Sequence, residues 1–151
     1  MRVVLQRVND ASVSVKGQII GKINHGIVLL VGFTKGDTSA QIDYLVHKIV
    51  NARIFEDSEG KMNLNLKQIH GQILSISQFT LYAETRKGNR PSFTQAQKPE
   101  MALINYDEFN KKLREQGVIV ETGKFGADMK VQLVNDGPVT IIYEESAVEK
   151  K

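Results

Sequence analysis

Four short apolar or alternating runs, VVLQRV, ASVSV, QIIGKI and GIVLLVGF, fill the first part of the chain, separated by ND, KG and NHG. Runs of this length bounded by turn-forming residues read as β-strands, and their close succession predicts an antiparallel meander. Next, Asp37 or Thr38 can cap a helix in which Ile42, Leu45, Val46, Ile49 and Val50 recur at helical spacing. That apolar stripe must lie on a sheet. The segment GQILSISQFTLYA reads as a further strand, apolar on both faces from Ile73 to Ile76 and mixed beyond, where Ser77 and Phe79 oppose Gln78 and Thr80. Pro99 suits a first helical turn, Ala102, Tyr106, Phe109 and Leu113 make a second stripe, and Gly117 can end that helix. VIVET, MKVQLVN and VTIIYEE complete the strands, with Met129, Val131 and Leu133 on one side and Lys130 and Gln132 on the other. The expected fold is α+β: antiparallel sheets forming a barrel-like core with two amphipathic helices packed on them.

A chain of 151 residues with 41% hydrophobic content suits one compact domain spanning residues 1–151, with a solvated tail at 146–151. Cysteine is absent, which excludes disulfides, thiolate zinc sites and a cysteine nucleophile, and fits a cytoplasmic location. The N-terminus alternates and carries charge early, so a signal peptide is not expected, nor is a membrane-spanning run. A formal charge of +3 permits a polyanionic partner without demanding one. His25, His47 and His70 are widely separated, and none has metal-ligand spacing with another histidine or carboxylate. His47, beside the apolar stripe of the first helix, reads as structural. No nucleophile elbow, phosphate-binding loop or dinucleotide fingerprint occurs, so neither a metal nor a cofactor is expected.

Two stretches resist a purely structural reading. Residues 135–140, NDGPVT, place an Asp-Gly hairpin signal directly before a proline, which cannot donate to a ladder. A trans turn is the ordinary interpretation, because only about 5–6% of X-Pro bonds in folded proteins are cis. SQFTLYA is unusually polar for a core strand, although polar side chains facing solvent would account for it. Between them, ETRKGNRPSF sets Arg86, Lys87 and Arg90 in a loop with Gly88 and Pro91, suited to gripping phosphates or to staying hydrated. On the residues alone three readings stay open: an enzyme, an RNA-binding module, and a structural or partner-binding β protein.

SQFTLYA, KGNRPSF and GKFGADMKVQLVNDGPVT together resemble, in order, the signature segments of the D-aminoacyl-tRNA deacylases, also called D-tyrosyl-tRNA deacylases. QRV and ASV near the N-terminus fit too, and the likeness runs to about Glu145. The resemblance implies a homodimer that hydrolyses the ester joining a D-amino acid to the terminal adenosine of tRNA and rejects L-aminoacyl-tRNA. It also implies a cis Gly137-Pro138 bond, with each subunit inserting the pair into its partner's active site. There the two carbonyls would bind the substrate's α-amino group and block the direction of an L side chain. Glycine, being achiral, would not be excluded.

By the same likeness Arg7 would brace the Gly-Pro loop through carbonyl hydrogen bonds, and Phe125, Met129 and Ala102 match pocket-lining positions. Backbone N–H groups of Phe79 and Thr80 would stabilise the developing oxyanion, Gln78 would hold the ester or adenosine, and Ser77 would support the strand. Phe79 is also placed to contact the adenine. Thr80 lacks a base nearby in sequence, so water, assisted by the ribose 2′-OH, is the expected nucleophile.

Overall fold

The computed structural model describes residues 1–147; the end of the expected tail, 148–151, lies outside them. In chain order the elements are β1 (Arg2–Val15), β2 (Gln18–Ile23), β3 (Gly26–Gly32), α1 (Ser39–Val50), β4 (Phe55–Glu56), β5 (Met62–Leu64) and β6 (Gln72–Ser77). A single 3₁₀ turn (Phe79–Tyr82), α2 (Pro99–Glu115), β7 (Val120–Thr122) and β8 (Lys130–Glu144) complete the fold.

The two leading runs, VVLQRV and ASVSV, fuse into the one long strand β1, which takes a partner on each edge. Along one edge β2 pairs Ala11 to Val15 and β3 pairs Arg2 to Val8; β8 follows the other edge from Ser14 back to Arg2. The expected meander is therefore replaced by β2 and β3 lying end to end against β1. The sheet continues from β3 to β6 and on to β7, and both of these ladders are parallel. Parallel neighbours need long crossovers, and the segments carrying α1 and α2 supply them. The sheet then curls so that β2 approaches β7. A Cβ on Gly21 would stand 2.9 Å from the Thr122 carbonyl oxygen, so only glycine permits this near closure of the barrel.

Both faces of the sheet are packed. On the helix side, Val3, Leu5, Ile27, Leu29 and Ile73 meet Ile42, Leu45, Val46, Ile49 and Val50 of α1 and Ala102, Tyr106, Phe109 and Leu113 of α2. Inside the barrel, Val8, Ala11, Val13, Ile23, Val28, Leu74 and Ile76 cluster, with Met129, Val131 and Leu133 against them. The alternation of Ile73 and Leu74 between the two clusters explains the continuous apolar run in β6.

Two expected elements differ. The strand through SQFTLYA stops at Ser77, because β3, its partner, ends at Gly32; the Gln78 N–H makes a last bond to the Val31 carbonyl at 2.8 Å. The chain then folds over Gly32, where a Cβ would lie 2.9 Å from the Gln78 carbonyl and 3.1 Å from Leu81. At the other site, MKVQLVN and VTIIYEE are two halves of the single strand β8, and NDGPVT makes no hairpin.

Of the two candidate caps for α1, Thr38 takes the position: its hydroxyl accepts from the Ala40 N–H, while the Gln41 side chain accepts from the Thr38 N–H at 2.8 Å. Asp37 instead is buried and pairs at 2.7 Å with the Met1 ammonium. Burial pushes the affinity of that amine for its proton below the ordinary value, and Asp37 opposes the shift. Thr38→Ala should lower the unfolding free energy by about 1 kcal/mol, the usual worth of an N-cap hydroxyl, as read from the urea midpoint at unchanged m-value.

Candidate active site

The 3₁₀ turn carries the polar residues of SQFT. Its first N–H groups, Phe79 and Thr80, precede any acceptor within the turn, whereas the Leu81 N–H bonds the Gln78 carbonyl at 3.3 Å. Such unengaged donors at a strand end can bind developing negative charge. The Phe79 ring is 57% exposed and meets Phe93 edge-on at 5.1 Å, which fixes it as one wall. The Gln78 side-chain amide donates to the Thr80 hydroxyl. An amide nitrogen has no basic lone pair, so this contact orients Thr80 without activating it. Ser77 lies just before the turn, and the strand behind it is tied down by Tyr106, whose buried hydroxyl donates to the Ser75 carbonyl at 2.7 Å. Burial raises the Tyr106 pKa, which keeps the hydroxyl protonated and donating.

The second motif is a bulge. Across β1 and β8, Gln6 faces Thr140 and Val8 faces Asn135, so Arg7 alone opposes residues 136–139. Four residues cannot fit beside one in a flat ladder; they loop out, and Pro138 sits where no ladder N–H is required. The Gly137-Pro138 bond is cis, Gly137 has φ +128°, and both residues are exposed. Arg7, only 6% exposed, holds the base of the loop: Nε donates to the Asp136 carbonyl at 3.0 Å and Nη1 to the Ile54 carbonyl at 2.6 Å. The guanidinium is thus buried among carbonyls, and a plain surface salt bridge is excluded. Asp136 Oδ2 also approaches Arg7 Nε at 3.4 Å and His25 Nε2 at 3.6 Å. Neither Asp136 nor His25 stood out in sequence as a site residue, since Asp136 had read as turn chemistry and its partners are remote in the chain.

Within one chain the two motifs lie on strands that are not neighbours. Arg7 lies opposite Ile27, Ile27 opposite Ile73, and Ser77 stands four positions further along β6. With about 4.8 Å between strands and about 3.3 Å per residue, the three spacings from β8 through β1 and β3 to β6 and four residues along amount to a path of about 20 Å measured along the sheet.

Of the remaining predicted residues, Phe125 packs on Tyr106 at 6.1 Å and, with Leu103, Asn110, Arg114 and Lys124, lines a cavity of about 490 Å³ between α2 and the segment after β7. Met129 joins the barrel interior and Ala102 is buried on α2. Arg86, Lys87 and Arg90 are exposed in a loop whose stem is pinned by paired bonds between Glu84 and Ser92 at 2.7 and 3.0 Å. The Arg86 fork is already engaged, with Nε and Nη2 each 2.8 Å from a Glu84 carboxylate oxygen. Hydrogen bonds from Arg86 lower the Glu84 pKa from 4.5 to about 2. The pair therefore persists from neutral pH down toward that value. Among the described residues no group of three or more His, Asp or Glu is placed to hold a metal ion, and no helix is long and apolar enough to cross a membrane.

The family profile described as D-Tyr-tRNA(Tyr) deacylase matches residues 4–144. A D-aminoacyl-tRNA deacylase of Limosilactobacillus reuteri (strain DSM 20016) is 60% identical over 144 residues, 95% of this chain and 99% of the relative. Its counterpart in L. reuteri subsp. reuteri (strain JCM 1112) matches to the same extent. Among solved structures, one titled c-Myc DNA Unwinding Element Binding Protein superposes with TM-score 0.92 at 42% identity, covering 97% of this chain and 100% of that one. A second, titled as a probable eukaryotic D-amino acid tRNA deacylase, gives TM-score 0.81 at 19% identity over 94% of this chain and 97% of that one; it shares the fold. The chain belongs to the D-Tyr-tRNA(Tyr) deacylase family.

Arg7→Lys tests the brace. A single ammonium has no fork to span the Asp136 and Ile54 carbonyls, so one loses its donor, and stability should fall by about 1–3 kcal/mol in chemical denaturation.

Proposed function

We propose that this chain hydrolyses the ester between a D-amino acid and the 3′-terminal adenosine of tRNA, and that it does so as a homodimer whose Gly137-Pro138 bulges enter the partner's site. Membership of the deacylase family supports the reaction. The observation that carries the assembly is the strand order: an exposed, braced bulge on β8, separated from the SQFT end of β6 by β1 and β3, reaches such a turn from another copy. The edge of β8 fits this arrangement. Among the described residues no strand pairs with it beyond β1, and it exposes Val134 (48%) and Ile142 (67%). Such an edge calls for a partner.

In the assembled site the ester carbonyl faces the Phe79 and Thr80 N–H groups, which stabilise the tetrahedral oxyanion. Gln78 holds the ester or the adenosine, Ser77 supports the strand and Phe79 contacts the adenine, while Phe125, Met129 and Ala102 take the pocket-lining positions. The Gly137 and Pro138 carbonyls accept from the substrate's α-ammonium and occupy the space of an L side chain. A D side chain points elsewhere and needs no matching pocket, so many D residues are accepted, and glycine passes too. Water attacks, aided by the ribose 2′-OH, because Thr80 has only an amide beside it. Lys87 and Arg90 meet tRNA phosphates; Arg86 contributes less while Glu84 neutralises it. The cytoplasm, where aminoacyl-tRNA is consumed, is the corresponding compartment.

Initial rates on D- and L-tyrosyl-tRNA decide the reading. Wild type should release D-tyrosine and spare the L ester; retention of RNA with no release of amino acid would leave only a binding module. A Cβ at Gly137 would lie 3.0 Å from the Val139 nitrogen and 3.2 Å from Arg7 Nη2, at a φ of +128° that L residues avoid. Gly137→Ala must therefore shift the carbonyl, and hydrolysis of the L ester should rise at least about tenfold relative to the D ester, the scale of one misplaced hydrogen bond. Thr80→Val should keep a rate within about tenfold of wild type. A covalent aminoacyl adduct on Thr80, seen by mass spectrometry, would refute the water mechanism.

A further inference from the structure

Residue 136 is held twice, through its main chain and through its carboxylate. The carbonyl accepts from Arg7 Nε at 3.0 Å, while Oδ2 lies 3.4 Å from the same Nε and 3.6 Å from His25 Nε2. His25 belongs to the connection between β2 and β3, which is clamped from several directions. The Gln72 N–H donates to the His25 carbonyl at 3.1 Å, and the Asn24 N–H donates to the Gln72 side-chain oxygen at 2.8 Å. Gly26 is pressed so closely to Gln72 that a Cβ would fall 1.9 Å from its carbonyl oxygen. The imidazole itself stands edge-on to the buried Phe55 ring, with centroids 5.3 Å apart and planes at 87°. His25 is thus mounted on a platform built by β6 and the core.

We propose that Asp136 and His25 are positioning residues for the Gly137-Pro138 loop, and through it specificity-determining residues for D- over L-aminoacyl esters. The inference rests on the deacylase reading above. Arg7 and the flanking ladder pairs fix the feet of the loop, and a loop fixed at its feet can still tilt at its tip. The Asp136 carboxylate, tethered to a second element, removes that tilt, so that the carbonyls of the next two residues project in one direction. At 3.6 Å the approach of His25 Nε2 to Asp136 Oδ2 is longer than a hydrogen bond, and it acts as an electrostatic contact that draws the carboxylate toward the ring. His25 and Asp136 are about half and one-third exposed, so the pair adds little to global stability. Its effect falls on where the loop points.

The test compares initial rates on D- and L-tyrosyl-tRNA for the full chain, His25→Leu, His25→Gln and Asp136→Ala. Leucine keeps the apolar contact with Phe55 and removes the donor; glutamine restores an N–H at similar reach; alanine keeps the carbonyl that Arg7 holds. The ratio of L to D hydrolysis should rise about fivefold in H25L and D136A, the scale of one weak ion pair, and return toward wild type in H25Q. The double variant should be no worse than either single one. Amide exchange at Gly137, Val139 and Thr140 should accelerate in H25L and D136A while the amides of Leu5 and Leu29 stay as protected as before. An unchanged ratio and unchanged exchange in both variants, with Gly137→Ala still admitting the L ester, would overturn this inference and leave the deacylase reading standing. If Gly137→Ala also kept full L rejection, the filter assigned to the loop would itself be wrong.

Discussion

A mismatch in count governs this molecule: between Gln6 and Val8 on β1 there is one residue, and between Asn135 and Thr140 on β8 there are four. A ladder can absorb the excess only by expelling it. Because both strands are anchored on either side of the mismatch, the expelled segment is a short loop with fixed feet, and the lone opposing residue, Arg7, is the side chain nearest to hold it. The same strand β1 carries β2, β3 and β8, so the bulge is referenced to the whole barrel.

The other motif arises from a strand that runs out of partner. β6 is parallel to β3 and ends beside it, with Ser77 opposite Val31; at Gly32 there is no ladder left, and the chain turns over the glycine. N–H groups that would otherwise have paired are left facing outward at Phe79 and Thr80. The Tyr106 hydroxyl reaches from α2 to the Ser75 carbonyl, so the helix layer fixes the end of the strand that bears the turn. Both motifs are therefore products of interrupted pairing, one by surplus residues and one by a missing neighbour.

Much of this was legible in the chain. The stripes of α1 and α2 were evident, because helical periodicity is local and every one of those positions is buried. So was the alternation of Met129, Val131 and Leu133 against Lys130 and Gln132. What escaped depends on pairing between remote segments. Whether Asn9-Asp10 turns the chain or is carried through β1, and whether Asp136-Gly137 makes a hairpin or a bulge, is decided by β1 and β8 choosing each other along their full length. Turn propensity, a property of a few residues, lost to that long ladder. The end of β6 was hidden for the same reason, since SQFTLYA alternates as a strand should and only the length of β3 stops it. Asp136 and His25 gave no signal in the sequence and came into view only when the fold brought them beside Arg7.

The principal grips in this site close on peptide groups: Arg7 on the carbonyls of residues 136 and 54, Tyr106 on that of residue 75, and the amide of residue 78 on that of residue 31. A carbonyl or an amide survives almost any exchange of the side chain attached to it. The receiving positions can thus drift in identity while the architecture stays put, and truncating those receiving side chains to alanine would leave it untouched. Its outline would emerge instead from changes that alter the peptide itself, such as ester-for-amide replacement.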